Sequence, residues 1–132
     1  MFNPETHILV VDDMLTMRKL VQKSCKELGF TTFTEAKDGA EAFSKLDAAS
    51  PASGLVISDW NMPGATGLDL LKRVRATEKY KTLPFVMLTA EAEKTQIVEA
   101  VQAGVSNYVI KPFTTDVLKE KLEAVHKKIS GG

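Results

Sequence analysis

A three-layer α/β sandwich on a five-stranded parallel sheet is what this sequence predicts, and three observations predict it. Short apolar runs alternate with helical patterns along the chain, the signature of strands in a parallel sheet. Turn signals punctuate the alternation. Most of the runs also stop at a polar residue that can do chemistry. Ile8 to Val11 ends in Asp12-Asp13, Leu55 to Ser58 in Asp59, Phe85 to Leu88 in Thr89, and Tyr108 to Ile110 in Lys111. The fifth run, Phe30 to Thr34, ends in Glu35 and is the weakest. In a parallel sheet these ends share one edge, where open α/β sheets bind their ligands.

Taken in order, a first strand is expected over 7–12 and a helix over 15–28, whose apolar stripe would be Met17, Leu20, Val21 and Leu28. Gly29 suits the helix C-terminus. A second strand over 31–35 leads through the Asp38-Gly39 turn to a helix over 39–49, which Ser50-Pro51 ends. The third strand, 54–58, precedes the turn Asn61-Met62-Pro63-Gly64. A helix over 67–78 follows, with Leu68, Leu71 and Val74 inside and Lys72, Arg73 and Arg75 outside. Pro84 opens a strand over 84–89, where a missing donor is tolerated. A helix over 92–103 closes at Gly104, a fifth strand covers 107–110, and a last helix, 115–129, sets Val117, Leu118, Leu122, Val125 and Ile129 against a Lys/Glu face. Strict β-α alternation implies right-handed crossovers.

The 132 residues suit one domain with a core that needs no staples. Lys plus Arg and Asp plus Glu number 17 each, so no net charge argues for nucleic acid or an anionic membrane surface. Cys25 is the only cysteine; it cannot form an internal disulfide and reads as a semi-buried packing residue. No signal-peptide pattern and no apolar stretch of spanning length is present, so a cytoplasmic location is expected. His7 and His126 have no partners at metal spacing and read as surface residues.

Asp12, Asp13 and Asp59 would converge at the sheet edge. One Asp at a strand end also suits a helix N-cap. Three carboxylates together repel one another unless a cation joins them. Oxygen ligands that leave room for waters and phosphate suit Mg2+, and Mn2+ would also fit. Asp59 stands alone on its strand, and a carboxylate can attack phosphorus to form an aspartyl phosphate. Lys111 supplies a point charge for phosphoryl oxygens, and Thr89 a hydroxyl, although a β-branched strand residue explains Thr89 alone equally simply. No GxxxxGK[ST] loop, GxGxxG turn, GxSxG elbow or HExxH is present. A phosphatase with its nucleophile on the first strand would need a second Asp two residues on; position 14 is Met14.

These residues resemble the receiver domain of response regulators, from about Thr6 to Lys128. The resemblance is carried by Asp12-Asp13, SDWNMPG at 58–64, GLDLLKRVR at 67–75, LTAEAEK at 88–94 and AGVSNYVIKPF at 103–113. It implies a flavodoxin-like (βα)5 fold, strand order 2-1-3-4-5, in a single receiver domain without an output domain, acting as a monomer. It implies that Asp59 accepts a phosphoryl group from a sensor histidine kinase. Asp12, Asp13, Asp59 and the Asn61 carbonyl would then hold Mg2+, with Lys111 and Thr89 on the phosphate and a cis peptide at Lys111-Pro112. Tyr108 would swing inward after phosphorylation. Ala92, Lys94, Ile97, Tyr108, Ile110 and Lys121 would form an output face for the flagellar motor switch in chemotaxis. Asn61 and Glu91 would tune self-dephosphorylation, a separate phosphatase being a further partner. On this reading the protein is a switch and not a turnover enzyme. A stand-alone phosphorelay intermediate, or control of a non-motor target, is the alternative. The turn Gly64-Ala65-Thr66 is less acidic than is typical of the chemotaxis type, and residues 35–50 match loosely; both bear on partner identity.

Overall fold

The computed structural model describes residues 2–49, 52–62, 64–90 and 94–130, the last without its side chain. The expectations placed on Ser50-Pro51, Pro63, Glu91 and Ala92 lie outside these. The strands are β1 (His7–Val11), β2 (Thr32–Ala36), β3 (Leu55–Asp59), β4 (Phe85–Ala90) and β5 (Asn107–Lys111). The helices are α1 (Leu15–Glu27), α2 (Gly39–Ala48), α3 (Gly67–Ala76), α4 (Lys94–Gln102) and α5 (Thr115–Ser130). The strands form one sheet in the order β2-β1-β3-β4-β5, every neighbouring pair parallel.

Successive strand side chains point to opposite faces, so an unbroken apolar run supplies two cores at once. Leu9, Val11 and Val56 face a layer made by α2, α3 and α4 through Phe43, Leu46, Leu71, Val74 and Ala100. Ile8, Val10, Leu55 and Ile57 face α1 and α5 through Val21, Cys25, Leu118, Leu122 and Val125. Strands with no polar face cannot serve as an exposed surface, and this forces the three-layer arrangement.

The helix starts follow capping chemistry. The Asp38 carboxylate accepts the Glu41 N–H at 2.8 Å and begins α2. Thr66 and Asp69 form a reciprocal capping box at α3. Gly29 and Gly104 sit at positive φ after α1 and α4, as C-terminal glycines do.

Several expectations are corrected. The third helix ends at Ala76, not 78: Thr77 turns extended, its hydroxyl donates to the Arg73 carbonyl at 2.7 Å, and a short 3-10 turn covers Glu78–Tyr80. Arg75 does not point outward. It donates to the carbonyls of Gly104 (2.8 Å) and Leu83 (2.7 Å), tying α3 to the loops before β5 and β4. On α1 the inward line is Val21, Cys25 and the partly buried Leu28, spaced at i, i+4 and i+7; Leu20 is exposed, offset from that line by one residue. With Met17 it rims an open apolar groove closed by Pro112 and Phe113. Val117 and Ile129 of α5 are also exposed. Cys25 is fully buried, which pushes its thiol up to about 12. His7 is buried and hydrogen-bonds with Thr34 Oγ1 at 2.6 Å; His126 meets the Phe2 ring edge-on.

Candidate functional site

The topology carries Asp12, Asp59, Thr89 and Lys111 to one edge because β1, β3, β4 and β5 are parallel neighbours. The register pairs Asp59 with Leu88 and Ala90 with Lys111. The carboxylates of Asp12, Asp13 and Asp59 lie with oxygens within 4.8 Å of one another. Asp12 is 1% exposed and Asp59 4%. Asp13 is exposed at the mouth.

Asp12 is held on several sides. Its N–H donates to the Ala36 carbonyl at 3.0 Å, and its Oδ1 accepts the Met14 N–H at 2.9 Å. Its Oδ2 is buried and has no hydrogen-bond partner among the described residues. It is not the cap of α1: Met14 occupies that position and makes no side-chain cap. Burial pushes the Asp12 carboxyl up to about 6; the Met14 bond lowers it, and the neighbouring charge of Asp59 raises it further. A buried carboxylate with an orphan oxygen, beside two more acids, fits a hard cation. Hence Asp12, Asp13 and Asp59 could hold a metal here.

Opposite the acids, Lys111 Nζ donates to Asp59 Oδ1 at 2.8 Å, with the Lys111 side chain only 22% exposed. The ammonium therefore meets the carboxylate in a half-buried place, where charge pairs are less screened than in water. Thr89 is wholly buried, and its Oγ1 finds no hydrogen-bond partner among the described residues. A hydroxyl in that condition can donate to an oxygen arriving at the site. Lys111-Pro112 is cis. Asp13, Asn61, Met62 and Thr66 line an open pocket of about 310 Å3 beside the cluster.

Toward β5, Tyr108 is partly buried against the α2–α3–α4 core, and the Lys121 ammonium lies 4.9 Å from its ring centroid. Lys94 and Ile110 are exposed and Ile97 partly so. Glu91 and Ala92 lie outside the described residues.

Sequence reasoning missed three contributors. Gly67 starts α3 hard against the end of β3: a Cβ there would stand 2.2 Å from the Asp59 carbonyl. A glycine opening an apolar helix was the available signal, since glycine is costly inside helices. Ser58 is buried and donates to the Asp59 carbonyl at 3.0 Å. Arg18 donates to the Asp12 carbonyl at 2.7 Å, and nothing in the local pattern announced it.

Residues 8–123 match the model of the response regulator receiver domain. The chain is 50% identical over 124 residues to the Chemotaxis protein CheY of Pseudomonas aeruginosa, covering 94% of this chain and 98% of the relative. It is 47% identical over 127 residues to the Chemotaxis protein CheY-3 of Vibrio cholerae, covering 96% of each. The solved structure of Vibrio cholerae CheY4 superposes with a TM-score of 0.82 at 33% identity, over 92% of this chain and 98% of that one. With the acid cluster, the half-buried Lys111–Asp59 pair and the 2-1-3-4-5 sheet all in place, the chain belongs to the response regulator receiver domain family, with chemotaxis proteins of the CheY type among its relatives.

Proposed function

We propose that this protein is a switch that accepts a phosphoryl group on Asp59 from a phosphohistidine of a sensor kinase. The observation that supports it best is the buried Asp59 carboxylate, clustered with two more acids and bonded to Lys111, with buried Thr89 following its register partner Leu88 on β4. Lys111 engages one Asp59 oxygen; the other attacks phosphorus. The P–N bond to histidine breaks, its electron pair leaves with the imidazole nitrogen, and the P–O bond to Asp59 forms. Asp12, Asp13, Asp59 and the carbonyl of Asn61 would hold magnesium. When bound, that ion offsets the negative charge of the phosphoryl oxygens. The protein's share is positioning plus electrostatics.

The Thr89 hydroxyl then donates to a phosphoryl oxygen. Its movement toward Asp59 opens space along β4, and Tyr108 turns further inward from its half-buried place. The change is a shift between two packings, driven by contacts that differ between them. Lys94, Ile97, Tyr108, Ile110 and Lys121 present the result to a target. The proposed target is the flagellar motor switch; the chemotaxis names of the relatives support a role in chemotaxis. Asn61, exposed at the pocket mouth, stands where an attacking water enters and so bears on signal lifetime. Among the described residues no helix is long and apolar enough to cross a membrane.

The test uses Trp60, the only tryptophan, adjacent to Asp59 and nearly buried. Magnesium should change its fluorescence, and acetyl phosphate should change it again and add the mass of one phosphoryl group. Asp59→Ala should lose the adduct. A parent protein that takes no adduct with magnesium and donor present would overturn the proposal.

A further inference from the structure

Glu35 lies next to the end of β2 at the same sheet edge, yet takes no part in the site described above. We infer that Glu35 and Arg18 together position the Asp12 loop and so set how tightly the acid cluster takes a divalent cation. The inference rests on the cation reading of that cluster.

The register pairs Val10 with Glu35 and Val11 with Ala36, so the end of β2 lies alongside the end of β1. From there it holds both backbone groups of Asp12. The Ala36 carbonyl accepts the Asp12 N–H at 3.0 Å. The Glu35 carboxylate acts through an arginine: Arg18 Nε donates to Glu35 Oε1 at 2.9 Å, and Arg18 Nη1 donates to the Asp12 carbonyl at 2.7 Å. Glu35 is itself held, with Lys19 Nζ on Oε2 at 2.8 Å and Lys45 Nζ on its carbonyl. The Arg18 side chain is 16% exposed. Its planar fork spans two acceptors in fixed directions, which an ammonium cannot do. With the Asp12 backbone bonded at both ends and Oδ1 accepting from Met14, the buried Oδ2, unpartnered among the described residues, is left for a ligand. Arg18 is thus a positioning residue.

The sign of one effect separates positioning from plain charge. As a cation near the acids, Arg18 repels a divalent ion, and its removal would tighten binding. As a positioner, its removal loosens the Asp12 loop and weakens binding. Partners that orient metal ligands are typically worth 10- to 100-fold in affinity.

The experiment is a magnesium titration of the parent, Arg18→Met, Arg18→Lys, Glu35→Gln, the Met/Gln double variant and Asp13→Asn, read by Trp60 fluorescence and by calorimetry. Circular dichroism confirms that each variant is folded. Arg18→Met and Glu35→Gln should each weaken binding about tenfold. The double variant should be no weaker than Arg18→Met, because the two act through one another. Arg18→Lys, which keeps the charge and loses the fork, should be weakened as well. Unchanged or tighter binding in Arg18→Met, with a responsive parent and a weakened Asp13→Asn, overturns the positioning role alone. Should Arg18→Met fail to fold, unchanged affinity in Glu35→Gln overturns it. A parent that binds no magnesium overturns the cation reading and this inference with it.

Discussion

The acid end of β1 and β3 and the face built on α4 and β5 belong to one sheet but are held in different ways. At the acid end the backbone of Asp12 is bonded on both sides, Asp59 is paired with Lys111, and Gly67 lets α3 press on the Asp59 carbonyl. On the other face, α4 contributes Ala100 alone to the buried core among its described residues, while Val98 and Val101 are exposed. Tyr108 packs there half-buried under the Lys121 ammonium. The Thr89 hydroxyl, on β4 between β3 and β5, is buried and unpartnered among the described residues. Reacting groups must be fixed before the reaction to lower its barrier. A surface that reports the reaction needs a second packing within a few kcal/mol of the first. Arg75, bonded to the carbonyls of Gly104 and Leu83, ties α3 to the loops that precede β5 and β4.

The contrast can be broken most strongly at Gly67. A Cβ there would stand 2.2 Å from the Asp59 carbonyl and 3.0 Å from the Trp60 Cα, and neither backbone atom can move without shifting β3 against α3. Gly67→Ala should cost about 3 kcal/mol of overpacking, seen as a lower urea midpoint. It should also slow phosphorylation of Asp59 from acetyl phosphate. A midpoint equal to the parent's would show that the acid end is less tightly fixed than the geometry implies.

Glu35 offers a smaller effect with a definite pH signature. Its hydrogen bonds from Lys19 and Arg18 hold its carboxyl down to about 2, against an ordinary value of 4.5. A carboxylate depressed in the folded state adds stability that is present above its unfolded pKa and is lost as pH falls through the folded one. Glu35→Gln should therefore be less stable than the parent by about 1 kcal/mol at neutral pH, after allowance for solvent screening of partly exposed groups. The difference should shrink from pH 4.5 toward pH 2, measured as paired urea midpoints across that range. A difference that stays constant with pH would mean the loss comes from packing and not from the ion pairs.

How much of this was legible in the sequence divides along the same line. Apolar runs reported the strands because burial on both faces leaves no room for polar residues, and polar strand ends reported the site because the parallel topology gathers them. What escaped were contacts that a side chain makes outside its own element. Arg18 reaches the Asp12 carbonyl and Glu35, and Arg75 reaches Leu83 and Gly104, but an arginine on a helix has the same local pattern whether it meets water or a carbonyl. His7 likewise reads as a surface residue until β2 brings Thr34 beside it. The α1 stripe failed for a different reason. Leu20 is apolar and near the right spacing, yet it falls beside the i, i+4 line of Val21 and Cys25 and stays exposed over the groove.

The smallest expected effect lies on the adaptable face. Lys121 Nζ sits 4.9 Å from the Tyr108 ring centroid, and a cation–π contact at a partly exposed site contributes about 0.5–1 kcal/mol. Lys121→Ala should therefore move the urea midpoint very little. That same contribution acts directly on the position of Tyr108, because the ammonium holds the ring where it is half-exposed. Removing it should shift the Tyr108 ring resonances toward those of the magnesium- and phosphodonor-treated parent, even before any donor is added. The changes in stability and in population thus come apart: a substitution almost silent in denaturation should be visible at one side chain. Ring resonances unchanged in Lys121→Ala would place the restraint on Tyr108 elsewhere, in its packing against the α2–α3–α4 core.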